Sequence, residues 1–180
     1  MGILQAITPT VSQLNGAKQH ADIGEVIRQG LWIAISGGLL IAFILNQIGF
    51  VYTALNVDPE ARPVAIAYLQ MTSFGLPAVT CFFCLRFLAE GMNFTRPALY
   101  IAVCGLIIKG PLNYILIYGK LGLPEMGGVG CGVAQAIIMW FQLGAILFVV
   151  SRSKFKHTGW RERFSAPNWS RIKTLLALGI

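Results

Sequence analysis

Charge is what this sequence has least of. Charged residues fill 12% of its 180 positions, about half the roughly 25% of an ordinary soluble domain. So few charges cannot cover the water-facing surface of a globule this size, which excludes a soluble enzyme domain. At 56% hydrophobic, the chain is no disordered segment either. Four cysteines are too few for a disulfide scaffold. The net charge of +7 would suit nucleic acid, but the basic residues are too sparse and uneven to form one basic face. No nucleic-acid partner is expected. A mean hydropathy of +0.67 points instead to a polytopic membrane protein.

What is present are long stretches free of charge. Residues 1–17, 29–57, 64–85 and 126–151 carry none, and 97–119 carries only Lys109. A helix crossing the hydrocarbon needs about 20 apolar residues. The spacing therefore predicts complete spans at about 30–55, 64–88, 97–119 and 127–151. None shows the short alternating segments of a membrane barrel. The fold class is all-α.

The polar segments between the spans alternate in basic content. Segments 18–28, 86–96 and 152–173 hold two, two and seven Lys or Arg, whereas 58–62 and 120–125 hold one each, beside acids. The positive-inside bias makes 18–28, 86–96 and 152–173 cytoplasmic. The basic run at 152–173, with Trp160, Phe164 and Trp169, is read as a solvated loop that fixes topology rather than a headgroup or nucleic-acid patch. Residues 1–17 begin within an apolar run, without the charged start of a signal peptide. Thr174–Ile180 open another. The expectation is a piece of a longer chain.

Few residues offer chemistry. Cys81 and Cys84 have a redox or zinc spacing, but lie inside an apolar span with no second pair, and are read as packing residues. Gly127–Gly132 resembles a phosphate loop without the strand before it or the Lys-Ser/Thr after it. Gly128 and Gly132 form a small-xxx-small face for another helix. No metal site and no cofactor are expected, and nothing marks an enzyme. Pro9, Pro77 and Pro111 lie within apolar runs, where each frees a carbonyl four residues earlier. Such bend points either line a transport path or are plain architecture.

Lys109 is the sharpest feature. Roughly 16–18 Å of helix separates it from Pro97 and from Lys120, so it falls near the midplane, where an ionisable residue is by default a functional hypothesis. Asn113 lies four residues on, on the same helix face. The alternative is a lysine bonded to carbonyls freed by Pro111, or one snorkelling to the interface. Neutral polar groups, among them Asn46, Gln70, Thr72, Ser73, Gln135 and Gln142, suggest helices facing one another or a cavity. No Asp or Glu lies deep in a span.

Three stretches carry a resemblance: Thr8–Ala17 followed by Arg28-Gln-Gly30; Arg86–Gly91 with Thr95-Arg-Pro97; and Pro111–Pro124 followed by Gly127–Ala134. They resemble, in order, three helix junctions of NorM-type transporters of the multidrug and toxic compound extrusion (MATE) family. The resemblance spans essentially the whole chain. It implies a bundle of twelve helices in two lobes and exchange of sodium ions or protons for drugs. Residues 1–151 would then be a partial first lobe, with the end of helix two and helices three to six. Residues 152–173 would be the inter-lobe loop, and 174–180 the start of helix seven. The remainder of the transporter, including the family's coupling carboxylates on helix one and in the second lobe, would lie outside this chain.

By the same resemblance Asn113 faces the first-lobe cavity. Lys109 stands where relatives commonly have asparagine, and Gln135 where they commonly have threonine. Lys109, Asn113 and Gln135 are thus the expected cavity lining, and Pro9, Pro77 and Pro111 the bend points. The expected partners are small-molecule drugs or organic cations and the lipid bilayer, and the expected location is the cell inner membrane. A positive charge at 109 would disfavour a cationic drug nearby. Two other functions compete: a flippase of the same superfamily for a lipid-linked headgroup, which would need more basic cavity residues, and a non-transporting anchor subunit.

Overall fold

The computed structural model describes residues 2–47, 58, 61–122 and 124–152. Among them every regular element is helical: α1 (Gly2–Gln5), α2 (Ile7–Gly16), α3 (His20–Asn46), α4 (Ala61–Ser73), α5 (Leu76–Gly91), α6 (Arg96–Ile117) and α7 (Gly128–Arg152). A 3-10 turn, Lys120–Gly122, follows α6. The end of the first expected span, nearly all of the basic loop at 152–173 and the run at 174–180 lie outside the described residues.

Three helices, α3, α6 and α7, are each long and apolar enough to cross a membrane. The remaining expected span, 64–88, is not one helix. It divides into α4 and α5, which meet at a 45° bend. Pro77 stands second in α5, so the Ser73 carbonyl four residues back has no helical N–H to accept. The chain answers with a tighter turn: Gly75 N–H donates to Thr72 O at 2.9 Å, and the helix resumes with Val79 N–H donating to Gly75 O at 3.0 Å. Hydropathy is blind to this break, because it sums composition without asking where the ladder fails.

Segment 18–28 is also not a loop, since α3 starts at His20. At 27 residues α3 is about 40 Å long, more than the roughly 30 Å hydrocarbon core requires. Asp22, Glu25 and Arg28 therefore ride on its first turns, before the apolar run. The connection from α2 closes as a Schellman turn. Gln19 N–H donates to Leu14 O at 2.9 Å, and Lys18 takes the left-handed position at φ 58°. The α5–α6 turn repeats the device, with Asn93 at φ 57° and Phe94 N–H donating to Ala89 O at 2.8 Å. Both turns lie on the side that the positive-inside expectation makes cytoplasmic.

The densest packing joins α2, α3, α5 and α7 near that side. Ile7, Val11, Ile23, Ile27, Leu85, Leu88, Ile146 and Val150 form its centre, each fully buried. Cys84 sits in the same cluster, its sulfur against Gly30. That is a packing role, as expected of a small polarizable side chain. At the rim, Arg86 Nε donates to Glu90 Oε1 at 2.7 Å within α5. Toward the other side, α7 packs on α4 along its small-residue face. A Cβ at Gly128 would lie 2.9 Å from Val64 Cγ1, and one at Gly132 2.6 Å from the Tyr68 carbonyl oxygen. Only residues without a side chain let the backbones come this near.

Candidate polar site between two membrane helices

The three prolines occupy different settings. Pro9 is third in α2, just after the interruption at Ala6, whose carbonyl accepts from the Thr10 hydroxyl at 2.8 Å. Pro77 is one residue inside α5, beside the 45° bend. Pro111 lies within α6, which runs on through it to Ile117. There the ring removes the N–H that would have bonded the carbonyl of Ile107.

Close approaches fix how the neighbouring helices pair. A Cβ on Gly105 of α6 would sit 2.9 Å from Gln142 Nε2 of α7, and one on Gly130 of α7 would sit 2.9 Å from the backbone of Leu116. The two helices are therefore antiparallel, and Gln135 stands at about the height of residues 111–112. Gly128 on Val64 and Gly132 on Tyr68 make α4 parallel to α7, which puts Gln135 beside Met71 and Thr72. Lys109, Asn113, Gln135 and Thr72 thus share one level to within about a helical turn, roughly 5 Å.

Direction follows from the same contacts. On α6 the positions Ala98, Ile101, Gly105, Lys109, Leu112 and Leu116 recur at spacings of three and four. Ala98, Ile101, Gly105 and Leu116 of this stripe are buried, and the α7 contacts fall on it. Lys109 belongs to it and is partly buried, whereas its neighbours Leu106 and Ile107 are 72% and 66% exposed. Lys109 thus stands on the packed flank of the helix, and the exposed hydrocarbon lies on the other. Asn113 turns roughly 40° further around the helix, and is also partly buried. On α7, Gln135 lies between the flank that meets α6 and the flank that meets α4. Because α6 and α7 run in opposite senses, these rotations turn Asn113 and Gln135 to the same side of the pair, the side toward α4.

Electrostatically the site is one cation among neutral dipoles. Among the described residues Lys109 has neither an ion-pair nor a hydrogen-bond partner, so the carbonyls near Pro111 do not hold it. Asn113 Oδ1 is buried with no partner, and so is Thr72 Oγ1. Thr72 counted only as one of several neutral polar residues in the spans and was not among the expected cavity lining: one hydroxyl in an apolar helix is ordinary, and only the register brings it here. Among the described residues no three His, Cys, Asp or Glu side chains gather as metal ligands would. The arrangement can offer an ammonium, a hydroxyl and an amide to a polar group within the membrane. It presents no nucleophile beside a base.

Comparison with known proteins assigns the chain. Residues 1–115 match the MatE family model. Over 99% of its length the chain is 38% identical to the multidrug resistance protein MdtK of Yersinia pestis (strain Pestoides F), and 39% identical to that of Edwardsiella ictaluri (strain 93-146). It spans 40% of the length of each. It also superposes over 99% of its length, with a TM-score of 0.66 and 27% identity, on 39% of the MATE transporter NorM-NG solved in complex with rhodamine 6G and a monobody. The helices, their spacing and these matches agree: this chain is a multi-pass membrane protein belonging to the MatE family.

Proposed function

We propose that the chain forms part of the first lobe of a secondary active multidrug efflux antiporter, which exports drugs or toxic organic compounds in exchange for sodium ions or protons. The observation that carries this reading is the match to MdtK proteins across 99% of the chain. The polar level shared by Lys109, Asn113, Gln135 and Thr72 supports it, since transporters bind substrate near mid-membrane between helices. In this reading those residues line the drug path, and Pro9, Pro77 and Pro111 are points at which helices bend as access alternates. The carboxylates that hold the coupling ion lie on other helices of the transporter. The reading assigns no enzymatic chemistry. It places the protein in the cell inner membrane, with the α2–α3 turn, the α5–α6 turn and segment 152–173 in the cytoplasm.

The test is a chimera in which residues 1–180 replace the corresponding segment of Yersinia pestis MdtK. In everted vesicles the chimera is expected to move a fluorescent drug against an imposed sodium or proton gradient, and dissipating the gradient should stop it. Correct insertion without any gradient-driven transport, in vesicles where the parent MdtK transports, would contradict the proposal.

A further inference from the structure

Lys109 is a cation placed on the packed flank of a membrane helix, with no counter-charge among the described residues. The described acids Asp22, Glu25, Asp58, Glu90 and Glu125 all stand at or beyond helix ends. Taking an ammonium out of water is unfavourable unless an anion or several dipoles meet it. Its helix has apolar positions facing outward and turns this one inward. Had solvation alone governed, the reverse orientation with snorkelling would have served.

Its neighbours differ from it in what they offer. The Thr72 hydroxyl is able to donate or accept, and its oxygen is buried without a partner. The buried Oδ1 of Asn113 only accepts. Lys109 only donates, and carries charge. An ammonium and a hydroxyl suit a carboxylate, and an acceptor about 6 Å along the same helix suits an N–H beside it. A permanently cationic compound would meet a like charge here and gain only from the acceptor oxygens of Asn113 and Thr72.

Resting on the efflux reading, we propose that Lys109, Thr72 and Asn113 bind the carboxylate-bearing end of the exported compound. Lys109 is the residue that selects for the carboxylate. Thr72 donates to the same group, and Asn113 accepts from a neighbouring N–H on the drug.

The test uses a matched pair of dyes in the MdtK chimera. Rhodamine 6G is the ethyl ester of rhodamine 19, so the two differ by one free carboxylate. K109N is expected to lower rhodamine 19 efflux about tenfold more than rhodamine 6G efflux, the scale of one hydrogen bond to a charged group. K109R should keep most of the discrimination, and T72V should lose part of it. A ratio between the dyes that K109N leaves unchanged would overturn the proposal. Should the chimera export neither dye, the efflux reading itself fails. The carboxylate preference is then read from equilibrium binding of both dyes to the purified 180-residue chain in nanodiscs, by fluorescence anisotropy. Tighter binding of rhodamine 19, weakened by K109N, supports the site, and equal binding of the two dyes overturns it.

Discussion

Trp140 of α7 donates its indole N–H to the carbonyl oxygen of Phe74, 3.2 Å away, at the bend between α4 and α5. That carbonyl belongs to the interruption, where the regular helical ladder stops at Ser73 and resumes at Leu76. In a bilayer an unpaired carbonyl finds no water, so a donor from a neighbouring helix is the natural remedy. W140F keeps an aromatic ring and removes the donor. It is expected to lower the stability of the chain in detergent micelles by about 0.5–1.5 kcal/mol, the net worth of an ordinary hydrogen bond. Thermal unfolding followed by circular dichroism reads this. F74L, which leaves the accepting backbone in place, should keep the bond.

On the other face of α4, Asn46 Nδ2 of α3 donates to Ser73 Oγ at 2.9 Å, and that hydroxyl donates to Gln70 O at 2.6 Å. Ser73 is fully buried. A double-mutant cycle with N46A and S73A should return a coupling of about 0.6 kcal/mol, with about 1.7 as the upper bound for polar pairs between membrane helices. Strictly additive effects of the two substitutions would show that the pair does not tie α3 to α4.

Gly132 and Gly110 offer a contrast within similar apolar helices. A methyl group at Gly132 would press on the Tyr68 carbonyl oxygen, whereas one at Gly110 would meet nothing within 4 Å. G132A is therefore expected to destabilise by about 1–3 kcal/mol through backbone displacement between α4 and α7. G110A should be neutral or slightly stabilising, since alanine favours helix. Thermal unfolding of the two variants side by side checks both signs.

Much of the fold was legible in the sequence, because one physical quantity governs it. Charge-free length marks hydrocarbon depth, so α6 and α7 end within a residue or two of the expected spans. Where apolar length and helix length part company, the sequence was misleading. α3 begins ten residues before its apolar run, since Asp22, Glu25 and Arg28 are as comfortable on a water-facing helix turn as in a loop. Pro77 was expected as a bend point, but the division of the span into two helices at Phe74 and Gly75 was not, since a proline permits either a kink or a fresh start. The site shows the same division. Lys109, Asn113 and Gln135 were visible as polar residues in apolar surroundings. That Asn113 and Gln135 turn to one side, with Thr72 between α4 and α7 at their level, depends on helix register. The register is set by contacts at Gly105, Gly128, Gly130 and Gly132 that periodicity cannot pair.

Topology gives a prediction independent of packing. In the proposed topology α5 ends toward the cytoplasm and α6 returns, which puts Asn93 and Glu125 on opposite sides of the membrane. In a background free of other cysteines, N93C should react with an impermeant maleimide only when the cytoplasmic face is accessible, and E125C only from the other face. Labelling of both from one side would reverse the reading of the basic segments.

In the proposed function, polar residues of α6 and α7 line one drug path while their apolar neighbours face lipid. Cysteine accessibility in the MdtK chimera, at residues 113, 135, 107 and 137 in turn, tests it most directly. N113C and Q135C should react with a water-soluble maleimide and be protected by a transported dye. I107C and I137C, on outward faces that are 66% and 46% exposed in the isolated chain, should stay unreactive within lipid. Reactive and dye-protected cysteines at 107 and 137, with silent ones at 113 and 135, would contradict the account.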